Sequence, residues 1–162
     1  MSRPKIMFYH DGRHPHIYRY EPPMSKEEYQ ACIDELVGTP IEAVMASYNE
    51  IDGIPSHSNS WLLNDVLRGE WGYQGAVVSD YYAIEDMARL HKIVPDYKAA
   101  GELALTSGVD VDLPEGDGFE NLAASVRDGK VSMEQLDTAV RRFLTMKFNA
   151  GLFDNPWPDL AL

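Results

Sequence analysis

The chain predicts an α/β fold built on a parallel sheet, and three observations carry that expectation. Short apolar runs alternate with longer segments of helical period. Each apolar run breaks off in a cluster of polar residues. The strand-loop-helix unit returns roughly every 30 to 40 residues, the length of a βαβ unit. Four such units fit in 162 residues, whereas a complete (β/α)₈ barrel takes about 250. Counting leaves two architectures, half a barrel with extra loops or a small open sheet.

Taken in order, residues 5–9 (KIMFY) form the first expected strand, ending at His10, Asp11, Gly12, Arg13 and His14. Pro22-Pro23 precedes a helix over 26–37, with Ser25 as N-cap, Glu28 at the capping-box position and Gly38 as the stop. The second strand is 41–48 (IEAVMASY), followed by the polar turn 49–53. Helical spacing over 60–67 closes in the glycine-bearing stretch 69–75. The third strand, 76–81 (AVVSDY), runs apolar and then stops in a hydroxyl, a carboxylate and a tyrosine, with a helix expected over 83–90. Beyond it come a helix over 98–106, a fourth strand over 108–113, a loop at 114–118 and a helix over 119–127. The last helix, 132–148, has Ser132 as N-cap and Gln135 at N3; Met133, Leu136, Val140, Phe143, Leu144 and Met146 are its expected buried face.

Composition narrows the function classes. With 26 Asp+Glu against 14 Lys+Arg the net charge is −12, which repels nucleic acid and anionic membrane and favours a small or neutral ligand. The one cysteine, Cys32, forms no internal disulfide, and no apolar stretch approaches membrane-spanning or signal-peptide length, so the expected compartment is the cytoplasm.

In parallel α/β sheets, functional groups gather beyond the carboxyl ends of the strands. That rule selects His10 and Asp11, Tyr48 to Glu50, Asp80 to Tyr82, and Asp112 to Glu115. Asp80, placed between GAVVS and two aromatic residues, is the sharpest candidate; its plain alternative is an N-cap of the following helix. His10, Asp11, His14 and His16 raise a metal site, but their spacing in a proline-containing loop matches no standard zinc geometry, and no metal or other cofactor is expected. Arg141, Arg142 and Lys147 sit towards a helix C-terminus, where cations complement the dipole.

The stretches VMASYN (44–49), WLLNDVLRGEWGYQG (61–75), VVSDYY (77–82), ALTSGVDVDLP (104–114) and VRDGKVSMEQLDTAVRRFLTMKFNAGLFDNP (126–156) resemble, in order and spacing, glycoside hydrolase family 3, the β-glucosidases, β-xylosidases and β-N-acetylhexosaminidases of that group. The resemblance covers about 42–156; residues 1–40 carry none of the motifs. It implies the C-terminal portion of a catalytic barrel, a half (β/α)₈ fold with about four parallel strands. It also implies a retaining glycosidase in which Asp80 matches the nucleophile, Tyr81 the aromatic residue beside the sugar, and Met45 and Tyr48 the methionine and tyrosine of the preceding strand. The chemistry is coherent: a carboxylate that stays ionised attacks the anomeric carbon, a hydroxyl holds it, and an aromatic face meets the apolar side of a pyranose.

Two departures qualify this. The family's Lys-His pair is missing upstream of Met45, and its acid/base lies outside this part of the barrel. Glu50, Asp52, Asp112 and Glu115 are the strand-end acids of this chain, but they read better as turn-forming and solvated charges. The expected organisation is a divergent strand-helix unit over 1–40 and a half-barrel over 41–162. Its partners would be a β-glycoside, and a second copy, the other barrel half or a C-terminal domain that supplies the acid. The rival reading is an inactive half-barrel that self-associates through unpaired sheet edges or binds sugar weakly.

Overall fold

The computed structural model describes residues 42–157, together with Ser25, Glu27 and Ala31. The chain divides into two units, 1–36 and 37–162. The expected strand 5–9, most of the helix 26–37, Cys32 and the His10, Asp11, His14 and His16 group lie outside the described residues; within that helix Glu27 and Ala31 are helical.

The second unit mixes helix and strand. Strands β1 (Ala43–Met45) and β4 (Ala76–Val78) pair in parallel, with Val44 opposite Val77. On the far side of β4, Val111 bridges Val78, also in parallel, and the amide of Ser79 donates to the carbonyl of Val111 at 2.8 Å. The expected strands are thus found shorter: 41–48 contracts to β1, 76–81 to β4, and 108–113 to that one bridge. β4 lies between its two neighbours, which explains its unbroken apolar run, since Ala76 and Val77 have no exposed surface.

The polar turn expected at 49–53 is a small hairpin, β2 (Glu50–Ile51) against β3 (Ile54–Pro55). Its tip, Asp52-Gly53, has both residues at positive φ, the combination for which Asp-Gly is suited in a two-residue hairpin. A single 3₁₀ turn, Ser56–Ser58, follows.

Among the described residues five helices follow. α1 (Trp61–Glu70) is wound with i→i−5 bonds, as in Trp71 N–H to Val66. α2 (Ala83–Arg89) follows β4, and α3 (Tyr97–Ser107) starts at Asp96, whose carboxylate accepts from the amide of Ala99. A Cβ on Gly101 of α3 would overlap the carbonyl of Gly118, so glycine permits the close seating of the 112–119 loop on this helix. α4 (Leu122–Arg127) and α5 (Met133–Asn149) come last. Ser132 and Gln135 form the expected capping box, with Gln135 N–H to Ser132 Oγ at 3.1 Å and Ser132 N–H to Gln135 Oε1 at 2.9 Å.

The main core joins Val77 of β4 to Ile84 and Met87 of α2, Ala100 and Ala104 of α3, Leu63 of α1, Ala46 and Val109. A smaller one holds Leu105, Leu122, Val131 and Ala139. The expected inner face of α5 needs correcting. Ala139 is its buried residue; Leu136, Phe143 and Met146 are half-buried, and Met133, Val140 and Leu144 are exposed. The helix is rotated so that Arg142, rather than an apolar neighbour, faces the sheet, where its Nη1 donates to Asp110 Oδ1 at 2.9 Å. Asp110 also accepts from Arg68 Nη2 at 2.6 Å and from the amide of Val77 at 2.8 Å. Arg142 is therefore structural, through a buried carboxylate rather than through the helix dipole.

Candidate active site

Asp80 lies two residues beyond the carboxyl end of β4, at the mouth of the parallel pair. It is half-buried, and three groups define its surroundings. From the 3₁₀ turn, His57 Nε2 accepts a hydrogen bond from the Asp80 amide at 3.1 Å. Asp80 Oδ1 accepts from the amide of Tyr81 at 2.8 Å. Beyond the end of β1, Tyr48 donates its hydroxyl to the carbonyl of Tyr81 at 2.5 Å. Desolvation, and next the Asp80 charge, push the Tyr48 phenol above its ordinary pKa, so it stays a proton donor through the neutral range. No cation pairs with Asp80 among the described residues.

The rim is open and apolar. Met45 is 58% exposed, Tyr48 50% and Tyr81 55%, and all three flank the ends of β1 and β4. The Tyr81 and Tyr82 rings meet edge to face, with centroids 6.5 Å apart and planes at 76°. Tyr82 has a φ of 60°, a conformation that aromatic residues rarely adopt. Its amide donates to the Leu113 carbonyl and its carbonyl accepts from Asp86 N–H, each at 3.0 Å, which pins the turn from β4 into α2. The N-cap of α2 is Tyr82, so capping is not the role of Asp80.

The four strand-end acids fall in different environments. Glu50 pairs with His91, Oε1 to Nδ1 at 2.8 Å, and Asp52 forms the hairpin tip. Asp112 is not the solvated charge expected. It is buried, its Oδ2 accepting from the amides of Gly118 at 2.8 Å and Phe119 at 3.3 Å, and burial raises its pKa. Glu115, exposed, raises the pKa of the Tyr82 phenol by its charge and by accepting its hydrogen bond.

Three buried residues stand near the site that the sequence does not mark as site residues. His57 is 2% exposed, and burial drives its imidazole pKa down to about 4. Glu85 and Asp86, on the first turn of α2, are buried. Asp86 Oδ1 accepts from Arg89 Nε at 2.9 Å and Nη2 at 2.6 Å, whereas Glu85 Oε2 has no partner among the described residues, and desolvation raises its pKa. The only local signal was the position of α2 just after a strand end.

Fold and site define a mixed α/β domain with a carboxylate and an aromatic rim at the mouth of a parallel strand pair. The sequence profile described as the Glycosyl hydrolase family 3 N terminal domain matches residues 23–146. The chain belongs to that family. The match takes in about twenty residues upstream of the readable motifs. Among curated relatives, the periplasmic β-glucosidase of Salmonella typhimurium is 39% identical over 142 residues, which is 88% of this chain and 17% of that protein. The putative β-xylosidase of Formosa agariphila is 38% identical over 117 residues, 72% of this chain and 16% of its own length. Among solved structures, the β-glucosidase from Erythrobacter marinus superposes with a TM-score of 0.73 at 37% identity, covering 77% of this chain and 17% of that one. The β-glucosidase from Listeria innocua in complex with glucose gives 0.71 at 34%, covering 80% and 17%. The chain thus spans about a sixth of the length of the relatives it matches.

Proposed function

We propose that this chain is the nucleophile-bearing part of a retaining β-glycosidase, organised as a divergent segment over 1–40 and a half (β/α)₈ barrel over 41–162. The observation that carries the reading is Asp80: a carboxylate at a parallel strand end, unpaired with any cation among the described residues, accepting from the Tyr81 amide and bordered by exposed Met45, Tyr48 and Tyr81. A carboxylate not tied up by a cation is free to act as the nucleophile at an anomeric carbon. In the first step the Asp80–sugar bond forms as the glycosidic C–O bond breaks, and the departing oxygen takes a proton from a general acid. In the second, water, giving its proton to the conjugate base of that acid, displaces Asp80 from the same carbon, and the two inversions together retain the configuration. Tyr48 fixes the Tyr81 backbone, and Tyr81 offers its ring to the sugar. Glu50, Asp112 and Glu115 are engaged elsewhere and Asp52 forms the exposed hairpin tip, so we take the acid from a partner: a further domain, the other barrel half or a second copy. The relatives named as β-glucosidase and β-xylosidase support a β-linked pyranoside as substrate.

Trapping tests the nucleophile without needing the acid. A 2-deoxy-2-fluoro-β-glycoside with a dinitrophenyl leaving group should add one sugar to the chain, on the peptide containing Asp80, and Asp80→Ala should take up none. An unlabelled wild type, or equal labelling of the variant, overturns the assignment.

A second reading, a non-catalytic half-barrel that self-associates, draws on the α5 face, where Val140, Leu144, Phe148 and Phe153 line an exposed apolar groove. Sedimentation velocity across a hundredfold concentration range decides it: a monomer throughout removes this reading. No helix among the described residues is long and apolar enough to cross a membrane. Cell fractionation decides between the cytoplasm, which the single cysteine permits, and the periplasm named for one relative.

A further inference from the structure

The last residue touching Asp80 that the mechanism leaves without a task is His57. It arrives from a turn built to hold one geometry. The Ser56 hydroxyl donates to the Asn49 carbonyl at 2.8 Å, the Ser58 hydroxyl to the Pro55 carbonyl at 3.0 Å, and the Ser107 hydroxyl of α3 to the Ser58 carbonyl at 3.2 Å. The turn is thereby tied at once to the hairpin and to a core helix. The imidazole it carries is almost wholly buried, and Nε2 accepts from the Asp80 amide. Beyond the end of β4 that N–H has no ladder partner, and an amide so placed needs an acceptor. The same amide opens the tight arrangement in which Asp80 Oδ1 accepts from Tyr81 N–H and the Tyr81 carbonyl accepts from Tyr48.

We infer that His57 is a positioning residue for the nucleophile: a neutral imidazole that, by accepting from the Asp80 N–H, fixes the 79–81 peptides and so aims the Asp80 carboxylate at the anomeric carbon. The inference rests on the reading of Asp80 as nucleophile. Accepting at Nε2 requires the proton on Nδ1 and excludes the imidazolium, which has no lone pair to offer. The surroundings keep it neutral. Burial opposes its charge most strongly, with His91 acting the same way, against the weaker pull of Asp80 and Asp86. Of the common side chains, glutamine alone puts a neutral acceptor at the reach of Nε2, whereas leucine fills similar space with none.

Two variants and two independent readouts test this. His57→Leu should lower the saturating rate of trapping by the fluoro-glycoside by on the order of 10- to 100-fold, the scale of misplacing a reacting group by about 1 Å. The concentration for half-maximal rate should change little, and His57→Gln should restore most of the rate. Amide hydrogen exchange at Asp80 should be at least roughly tenfold faster in His57→Leu than in the wild type or His57→Gln. If His57→Leu does not fold, His57→Gln and the wild type carry the test: nitrogen-15 shifts at pH 7 should show His57 Nδ1 protonated and Nε2 bare. A protonated Nε2, unchanged exchange at Asp80, or trapping by His57→Leu at the wild-type rate overturns the inference. An unlabelled wild type with a protected Asp80 amide would instead refute the nucleophile reading while leaving the His57–Asp80 hydrogen bond established.

Discussion

Two aspartates, Asp110 and Asp80, stand on neighbouring parallel segments and meet opposite fates. Asp110, beside the Val111 bridge, is buried between Arg68 and Arg142 and takes an amide bond as well, so both its oxygens are engaged. Asp80, just past β4, is half-buried and pairs with no cation among the described residues. A carboxylate clamped by two guanidiniums ties elements together, here α1, α5 and β4, and is a poor nucleophile because its charge is neutralised. A carboxylate left without a cation contributes little to the fold and keeps its reactivity. The difference separates the part of this chain that holds the sheet from the part that is open to a ligand.

The largest expected effect breaks the first member of the pair. Asp110→Ala leaves Arg68 and Arg142 facing each other without their counter-charge, and removing one partner of a buried pair costs about 3–5 kcal/mol. Urea denaturation should show that loss, whereas Asp80→Asn should stay within about 0.5 kcal/mol of wild type. Comparable losses for both variants would dissolve the contrast.

Next in size is the pH response of His57. Its folded pKa, about 4, lies below the ordinary 6.5, so the unfolded chain takes up a proton that the folded chain refuses. The stability linked to this histidine is whole above pH 6.5 and declines as pH falls towards 4. At about 1.4 kcal/mol per unit the decline amounts to roughly 3 kcal/mol. Subtracting the profile of His57→Gln from that of the wild type isolates the effect, and a flat difference between pH 7 and 4.5 contradicts it.

Glu85 has the opposite sign. Burial raises its pKa, and Oε2 lacks a partner among the described residues. Stability is therefore lost as pH rises from the unfolded value through the folded one, where the buried group ionises. Glu85→Gln should gain about 1–2 kcal/mol at pH 8, the scale of an unsatisfied buried group. The gain should vanish below pH 4, where the wild type is neutral in both states. A gain that persists at pH 4 would mean that packing, not charge, was relieved.

Much of this was legible in the sequence because its causes are local. The capping box at Ser132, the polar turn that ends in Asp52-Gly53 and the apolar run of β4 each depend on residues a few positions apart. Asp80 could be singled out because the end of a buried strand is a local event with a functional meaning. What was missed depends on pairs distant in sequence. Arg68 and Arg142 reach Asp110 across 42 and 32 residues, which is why α5 presents Arg142 inward and leaves Met133, Val140 and Leu144 outside. His57 in the string PSHS has no periodicity to mark it as buried; only the seating of its turn against α3 and β4 does so. Asp112 read as a loop charge because nothing local announced that the amides of Gly118 and Phe119 would fold back over it.

The smallest effect on the fold falls on the open side of the contrast, at Tyr48. Its hydroxyl donates to the Tyr81 carbonyl beside Asp80, at a half-exposed position where water can take its place. Tyr48→Phe should therefore cost less than about 1 kcal/mol of stability, below the usual worth of a buried hydrogen bond. Its effect on chemistry should be out of proportion, because the Tyr81 carbonyl closes the same turn that presents Asp80. Once that carbonyl is free, the turn gains alternatives, and only a fraction of molecules aim the carboxylate productively. Trapping by the fluoro-glycoside should slow by on the order of tenfold while the urea midpoint hardly moves. A variant that loses stability and trapping rate in proportion would place Tyr48 with Asp110, among the residues that hold the sheet, and move the boundary between the two regions inward to Asp80 itself.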